Sequence, residues 1–301
     1  MKFKGTFLAP MLVISVLLLL IASRFLDLSM LAYHENICLA VIVIQLLILI
    51  VPTVIYSKLR GEGFMKRLRV APFGIEKLLV TLLAALTLFL GDTLIKLALC
   101  RVGLIDGIYT VYDYYLSGEE TNVVYLLLTF GIVPAVAEEL LFRGVLCADY
   151  ESNGAVTAAV ASALLYAMFG LSFGYFPVYF FAGLIFALVM YMSRSVLAAM
   201  LCHLIYNVAN LVLGDTLWTI ISKPQSMTFL IFVVGGLFLA SLASLFGECE
   251  RIYYGYSLAN KSSDYVKGCE KFNAGRFFEA LLAPPFLLAL LVFVVAALQF
   301  M

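Results

Sequence analysis

The chain has 301 residues, 64% of them hydrophobic and 13% charged, and its mean hydropathy is +1.07. Soluble domains are about 45–50% apolar, so this composition excludes a soluble globular protein and describes a polytopic membrane protein. The formal net charge is zero, which gives no basis for nucleic-acid binding and leaves the basic residues to be read by position.

About 20 apolar residues cross a bilayer as a helix, and the apolar runs predict nine spans: about 7–24, 37–56, 78–100, 122–142, 154–170, 175–192, 196–213, 227–246 and 281–300. The expected fold is all-α, a polytopic integral membrane helical bundle. Lys2 and Lys4 precede the first run, and no small-residue cleavage site follows it, so it reads as a retained helix and not a signal peptide. The loop after the second span carries Lys58, Arg60, Lys66, Arg67 and Arg69, while the loop after the third carries Asp106, Asp113, Glu119 and Glu120 against Arg101 alone. Basic residues gather on the cytoplasmic side, which predicts a cytoplasmic N-terminus. In the third span Asp92 and Lys96 stand four apart and read as an intrahelical ion pair, with an ion or proton path as the sharper alternative.

Further along, Gly170 and Gly174 predict a tight turn between the fifth and sixth spans. Tyr112, Tyr114, Tyr115 and Trp218 read as interfacial belt residues. The six cysteines, Cys38, Cys100, Cys147, Cys202, Cys249 and Cys269, have no metal or redox spacing and read as packing residues. The stretch 248–276 is the only long polar one and reads as a partly ordered cytoplasmic loop or a pair of surface helices, with Lys261, Lys267, Lys271 and Arg276 on that side. The chain then divides into N-terminal helices over 1–121, a core over 122–213, and C-terminal helices over 214–301 that include this loop.

Within the core, Glu138, Glu139 and Arg143 close a long apolar run that begins near Val123. An ionisable group at membrane depth costs about 2.5–3.5 kcal/mol on insertion scales, so these three need partners, water or a task. Residues four apart share a helix face, so Glu139 pairs with Arg143, and Glu138, about 100° round the helix, is left for other work. By span counting they lie at the cytoplasmic end of the fourth helix. Another polar stripe, His203, Asn207 and Asn210, runs down the span 196–213. A carboxylate facing an imidazole and an amide can activate water and hold an oxyanion; the same stripe can equally be interhelical hydrogen bonding.

On these residues the stretch from about 123 to 213 resembles the CPBP family, which includes the type II CAAX prenyl endopeptidases and proteins proposed in bacteriocin processing and immunity. Glu138, Glu139 and Arg143 match its Glu-Glu-x-x-x-Arg motif, and His203 and Asn207 match its last motif, His-x-x-x-Asn or similar. The intervening Phe-x-x-x-His pattern is met by Tyr166 to Gly170, so glycine stands where histidine is expected, and the Gly-Leu pair is Gly183 and Leu184. The resemblance implies an intramembrane endopeptidase acting on membrane-anchored or lipidated peptides. In it Glu138 is the base that activates water, Glu139 pairs with Arg143, histidines hold the water or the oxyanion, and Asn207 donates to the oxyanion. It also leaves open a catalytically impaired relative acting as an immunity, scaffold or regulatory protein. The other histidine, His34, lies in the loop after the first span, on the predicted opposite face. A catalytic zinc usually takes three protein ligands; one histidine and carboxylates do not supply them, so no tightly bound cofactor is expected, although carboxylates alone could hold a weaker divalent ion. The expected partners are the lipid bilayer and a peptide substrate. A transporter would require interrupted helices in paired halves, and no internal repeat is present.

Overall fold

The structure, a computed structural model, describes residues 5–26, 37–105, 122–221, 224–258 and 272–299. Among them the regular structure is helical throughout: α1 (Gly5–Ser23), α2 (Cys38–Arg60), α3 (Leu78–Arg101), α4 (Val123–Asn153), α5 (Ala155–Phe169), α6 (Phe176–Ser193), α7 (Val196–Ile221), α8 (Pro224–Leu258), α9 (Ala274–Leu281) and α10 (Pro284–Gln299). His34, Asp106, Asp113, Glu119, Glu120, Tyr112, Tyr114, Tyr115, Lys2, Lys4, Lys261, Lys267, Lys271 and Cys269 lie outside the described residues, as does the Trp218 side chain.

Among the described residues, seven helices are long and apolar enough to cross a membrane, and α9 with α10, bent by 51°, makes up to eight. The expected nine is reduced at the fifth span. With 15 residues, α5 is about 22 Å long at 1.5 Å per residue, short of a hydrocarbon core of about 30 Å. Two further boundaries differ from the hydropathy reading. The fourth helix continues to Asn153, so Glu138 and Glu139 sit near its middle and not at its end. The eighth continues to Leu258, so the first part of the predicted polar loop is helix. That extension is held by Arg251, whose Nε donates to Glu248 at 2.8 Å, and by Tyr256, whose hydroxyl donates to Met192 O at 2.7 Å beneath the guanidinium of Arg194. A hydropathy window ends at such charges, but a helix whose charges find partners does not.

Two helices contain π-helical turns next to a proline. In α2 the turn Leu46–Ile50 precedes Pro52, and in α4 the turn Leu127–Ile132 precedes Pro134. Proline lacks an N–H and its ring presses on the preceding turn; widening that turn relieves the clash. A third π-helical stretch, Leu140–Leu146, begins directly after Glu139 and contains Arg143. The Ser162 hydroxyl of α5 donates to the Phe142 carbonyl within it at 2.7 Å.

The core lies where α4, α5, α6 and α7 meet against α3, with α1 and α10 packed together beside it. α5 and α6 approach closely where a Cβ on Gly183 would stand 2.8 Å from Ala163 Cα. Small residues of this kind let membrane helices touch backbone to backbone.

The basic loop after α2 folds onto the end of α4. Asp149, buried, accepts from the Tyr56 hydroxyl and from Arg60, Arg67 donates to the Ala148 carbonyl, and Arg69 pairs with Glu151 at 2.6 Å. Burial works against the charge on Arg69, but Glu151 and Tyr191 outweigh it and raise its pKa above the ordinary arginine value. The same segment reaches α7: the Arg69 carbonyl accepts from Val196 N at 3.1 Å and the Ala71 carbonyl from Ser195 Oγ. A helix start leaves backbone N–H groups without partners, and here the loop supplies one of them, fixing where the His203 helix begins.

Candidate functional site

Two adjacent acids on α4 have opposite surroundings. Glu139 is fully buried. Its Oε1 accepts from Arg143 Nη1 at 3.1 Å and stands 2.9 Å from His203 Nδ1. Arg143, 1% exposed, uses its Nη2 to donate to the Gly183 carbonyl of α6 at 3.0 Å, and its guanidinium lies 4.6 Å from the Tyr166 ring and 5.1 Å from the Phe186 ring. A buried charge is tolerable only when paired and hydrogen-bonded, and this pair is both.

Glu138, one residue earlier, is 15% exposed at its side chain and faces His203 Nε2 across 4.0 Å. His203 thus sits between the two acids. Glu139 as a carboxylate accepts the Nδ1 hydrogen, which fixes the tautomer and leaves Nε2 toward Glu138. Phe186 stacks on the imidazole at 4.4 Å and 20° and holds the plane of the ring. Tyr166 of α5 packs T-shaped against both Phe186 and His203, with its hydroxyl beside Glu138.

The remaining polar residues of α7 turn elsewhere. Asn207 Nδ2 donates to the Gly131 carbonyl of α4 at 3.4 Å, two turns before Glu138, and Asn210 Nδ2 donates to Tyr206 O of its own helix at 3.0 Å. Of the five residues expected at the site, the structure brings Glu138, Glu139, Arg143 and His203 together, and it directs the Asn207 amide to a backbone carbonyl. Asp92 and Lys96 form their i, i+4 pair at 2.7 Å, with Tyr206 beside Asp92. Cys202 is buried, as are Cys38 and Cys147, while Cys100 and Cys249 are partly exposed.

Gly170 ends α5. A Cβ there would meet Tyr179 of α6 at 2.4 Å, nearer than a Cβ can stand. Tyr179 in turn packs edge-on against Tyr166, with centroids 5.8 Å apart. Residue spacing carries no sign that Tyr166, Tyr179, Phe186 and the Gly183 carbonyl meet Glu138 and Glu139, since the first arrives from α5 and the other three from α6. The available signals were tyrosine at position 166 in place of the expected phenylalanine and the Gly183–Leu184 pair.

Among the described residues, no group of three or more His, Cys, Asp or Glu side chains is placed to hold a metal ion. What the cluster offers is a partly accessible carboxylate, a tautomer-fixed imidazole and phenolic donors in an otherwise apolar enclosure. Such a set can take a proton from water and stabilise charge on a polarised carbonyl.

Residues 120–209 match the family model described as type II CAAX prenyl endopeptidase Rce1-like. No curated protein matches the chain, and no solved structure does. The matched stretch begins just before α4 and closes within α7, so it contains all five expected site residues together with Gly170, Tyr179 and Gly183.

Proposed function

We propose that this Rce1-like membrane protein is an endopeptidase that cleaves membrane-anchored or lipidated peptides by water activated at Glu138. The observation that carries the proposal is the division of labour between neighbours. Glu139 is locked by Arg143 and His203, while Glu138 keeps access and faces the free edge of the same imidazole.

A water hydrogen-bonded to both Glu138 Oε2 and His203 Nε2 spans the 4.0 Å between them. Glu138 takes one proton from it, the oxygen adds to the peptide carbonyl carbon, and the π electrons move to the carbonyl oxygen. The C–N bond then breaks as Glu138 returns the proton to the leaving amine. Glu139 and Arg143 hold His203 in its tautomer, and Asn207 fastens α7 to α4. An open apolar surface of α7, formed by Leu204, Ile205, Val208, Ala209, Val212 and Leu213, begins one residue after His203 and suits contact with a hydrocarbon chain. No cofactor is assigned. The proposal keeps the N-terminus cytoplasmic and the site open toward that face, with the Arg60 to Arg69 clamp on the cytoplasmic side.

One observation favours a second reading. Tyr179 fills the space beside Gly170, which suits a relative that keeps the apolar surface and acts by binding, as an immunity factor, scaffold or regulator. The test is the set of membrane-peptide termini, read by mass spectrometry, in cells expressing wild type, Glu138→Ala or neither at matched protein levels. Termini found only with wild type support the peptidase. Identical termini in all three, with the substrate pool present, support the binding protein.

A further inference from the structure

The Tyr179 phenol occupies a place where a polar donor is chemically useful. Two helices other than α4 present a polar aromatic group toward Glu138, α7 with His203 and α5 with Tyr166, and α6 adds Tyr179, whose ring packs against that of Tyr166 with centroids 5.8 Å apart. Other tyrosines of the bundle make defined hydrogen bonds: Tyr56 to Asp149, Tyr191 to Glu151 and Tyr256 to the Met192 carbonyl. Tyr179 is half-buried, and among the described residues its hydroxyl makes no such bond. Its position is nevertheless fixed. The ring edge abuts Gly170, with Cε2 2.4 Å and Cδ2 2.6 Å from a Cβ placed there, and the ring packs T-shaped with Tyr166 at an interplanar angle of 79°. Glycine at 170 is therefore what admits the ring, and no larger residue fits while Tyr179 keeps this rotamer.

We propose that Tyr179 is a catalytic residue of the hydrolytic site, its phenol donating a hydrogen bond to the oxygen of the peptide carbonyl as water adds at Glu138. This rests on the hydrolytic reading above. The phenol O–H is not transferred. It donates to the oxygen that gains the carbonyl π electrons, while the proton from water travels by way of Glu138 to the leaving amine, so atoms and charge balance without another reactant. A neutral donor held by packing alone needs no rearrangement as the oxyanion forms, which is the condition under which such donors are most effective. Tyr166, whose hydroxyl lies beside Glu138, is in this arrangement a positioning residue for the base.

The test uses the full-length protein in phosphatidylcholine vesicles with an internally quenched, farnesylated peptide as probe. Tyr179→Phe keeps the ring and removes the donor. Its kcat should fall on the order of 10²-fold, the effect of losing one such donor, with KM within about threefold and the thermal midpoint unchanged. Gly170→His should be unstable and inactive in the wild-type background. In the Tyr179→Ala background it should fold and cleave faster than Tyr179→Ala alone, because the imidazole enters the space the ring has left. Full turnover by Tyr179→Phe, with Glu138→Ala inactive, overturns this assignment and leaves the peptidase reading standing. Wild type no faster than Glu138→Ala overturns both. A Gly170→His protein as stable as wild type with Tyr179 intact shows that the ring does not occupy the site, and also overturns it.

Discussion

Arg143 Nη2 donates to the backbone carbonyl of Gly183 at 3.0 Å, which ties the ion pair within α4 to the point where α5 and α6 touch. Gly183 serves twice there. The missing side chain brings α6 against Ala163, and the resulting proximity puts its carbonyl within reach of a fully buried guanidinium.

Removing that guanidinium leaves Glu139 buried with His203 as its remaining partner. Stranding one member of a buried pair costs about 3–5 kcal/mol, so Arg143→Ala is expected to lower both yield and thermal midpoint in detergent. Normal yield and an unchanged midpoint would refute the structural role of the pair.

The neighbouring glutamates should respond differently. Glu139→Ala strands Arg143 in the same way and should destabilise by a similar amount, about 3–5 kcal/mol. Glu138→Ala removes a partly exposed group that, among the described residues, has no ion-pair partner closer than 4.0 Å, and should keep the thermal midpoint while abolishing cleavage. Thermal unfolding and peptide cleavage measured on both variants separate the roles, and equal loss of stability would contradict the assignment.

Gly183→Ala places a methyl 2.8 Å from Ala163 Cα, and overpacking of this kind costs about 1–3 kcal/mol. Gly236 supplies the control, because a Cβ there meets nothing within 4 Å. Gly236→Ala, inside α8, should be neutral or stabilising by up to about 1 kcal/mol. If the two substitutions shift the unfolding midpoint equally, the α5–α6 contact is looser than described.

Asp149 joins Tyr56 and Arg60, so Asp149→Ala should release the loop that follows α2 from the end of α4. Limited proteolysis in membranes is expected to cut between Arg60 and Arg69 in the variant and spare the wild type. Equal protection in both would mean that the Arg67 and Arg69 contacts hold the loop unaided.

Composition and local spacing made the helical membrane fold legible, and also the i, i+4 pairs Glu139–Arg143 and Asp92–Lys96, because each depends on one helix alone. Helix ends were less legible. Hydropathy falls at Arg143 and at Glu248, yet partners from α6 and α7, or from the next turn, let α4 and α8 continue. The π-helical turns before Pro52 and Pro134 have a local cause in the prolines, whereas the one around Arg143 has none. His203 could be recognised as a site candidate, but its link to Glu139 through Nδ1 spans 64 residues and could not be read from spacing. Tyr179 was hidden for a related reason: what marks it is the absence of a side chain at Gly170, and only the crossing of α5 and α6 shows what fills that space.

The clamp between the α2 loop and α4 has a consequence for biosynthesis. Arg60 precedes Asp149 by 89 residues, which at about 5–20 residues per second of synthesis leaves it several seconds without that partner. During that interval the loop's positive charges are free to act as an orientation signal on the inserting chain. Once α4 follows, Asp149 and Glu151 neutralise two of them and fasten the ends of α2 and α4 side by side, so both helices finish on one face of the bilayer. A transient address for the ribosome-bound chain thereby becomes a permanent lock on its topology.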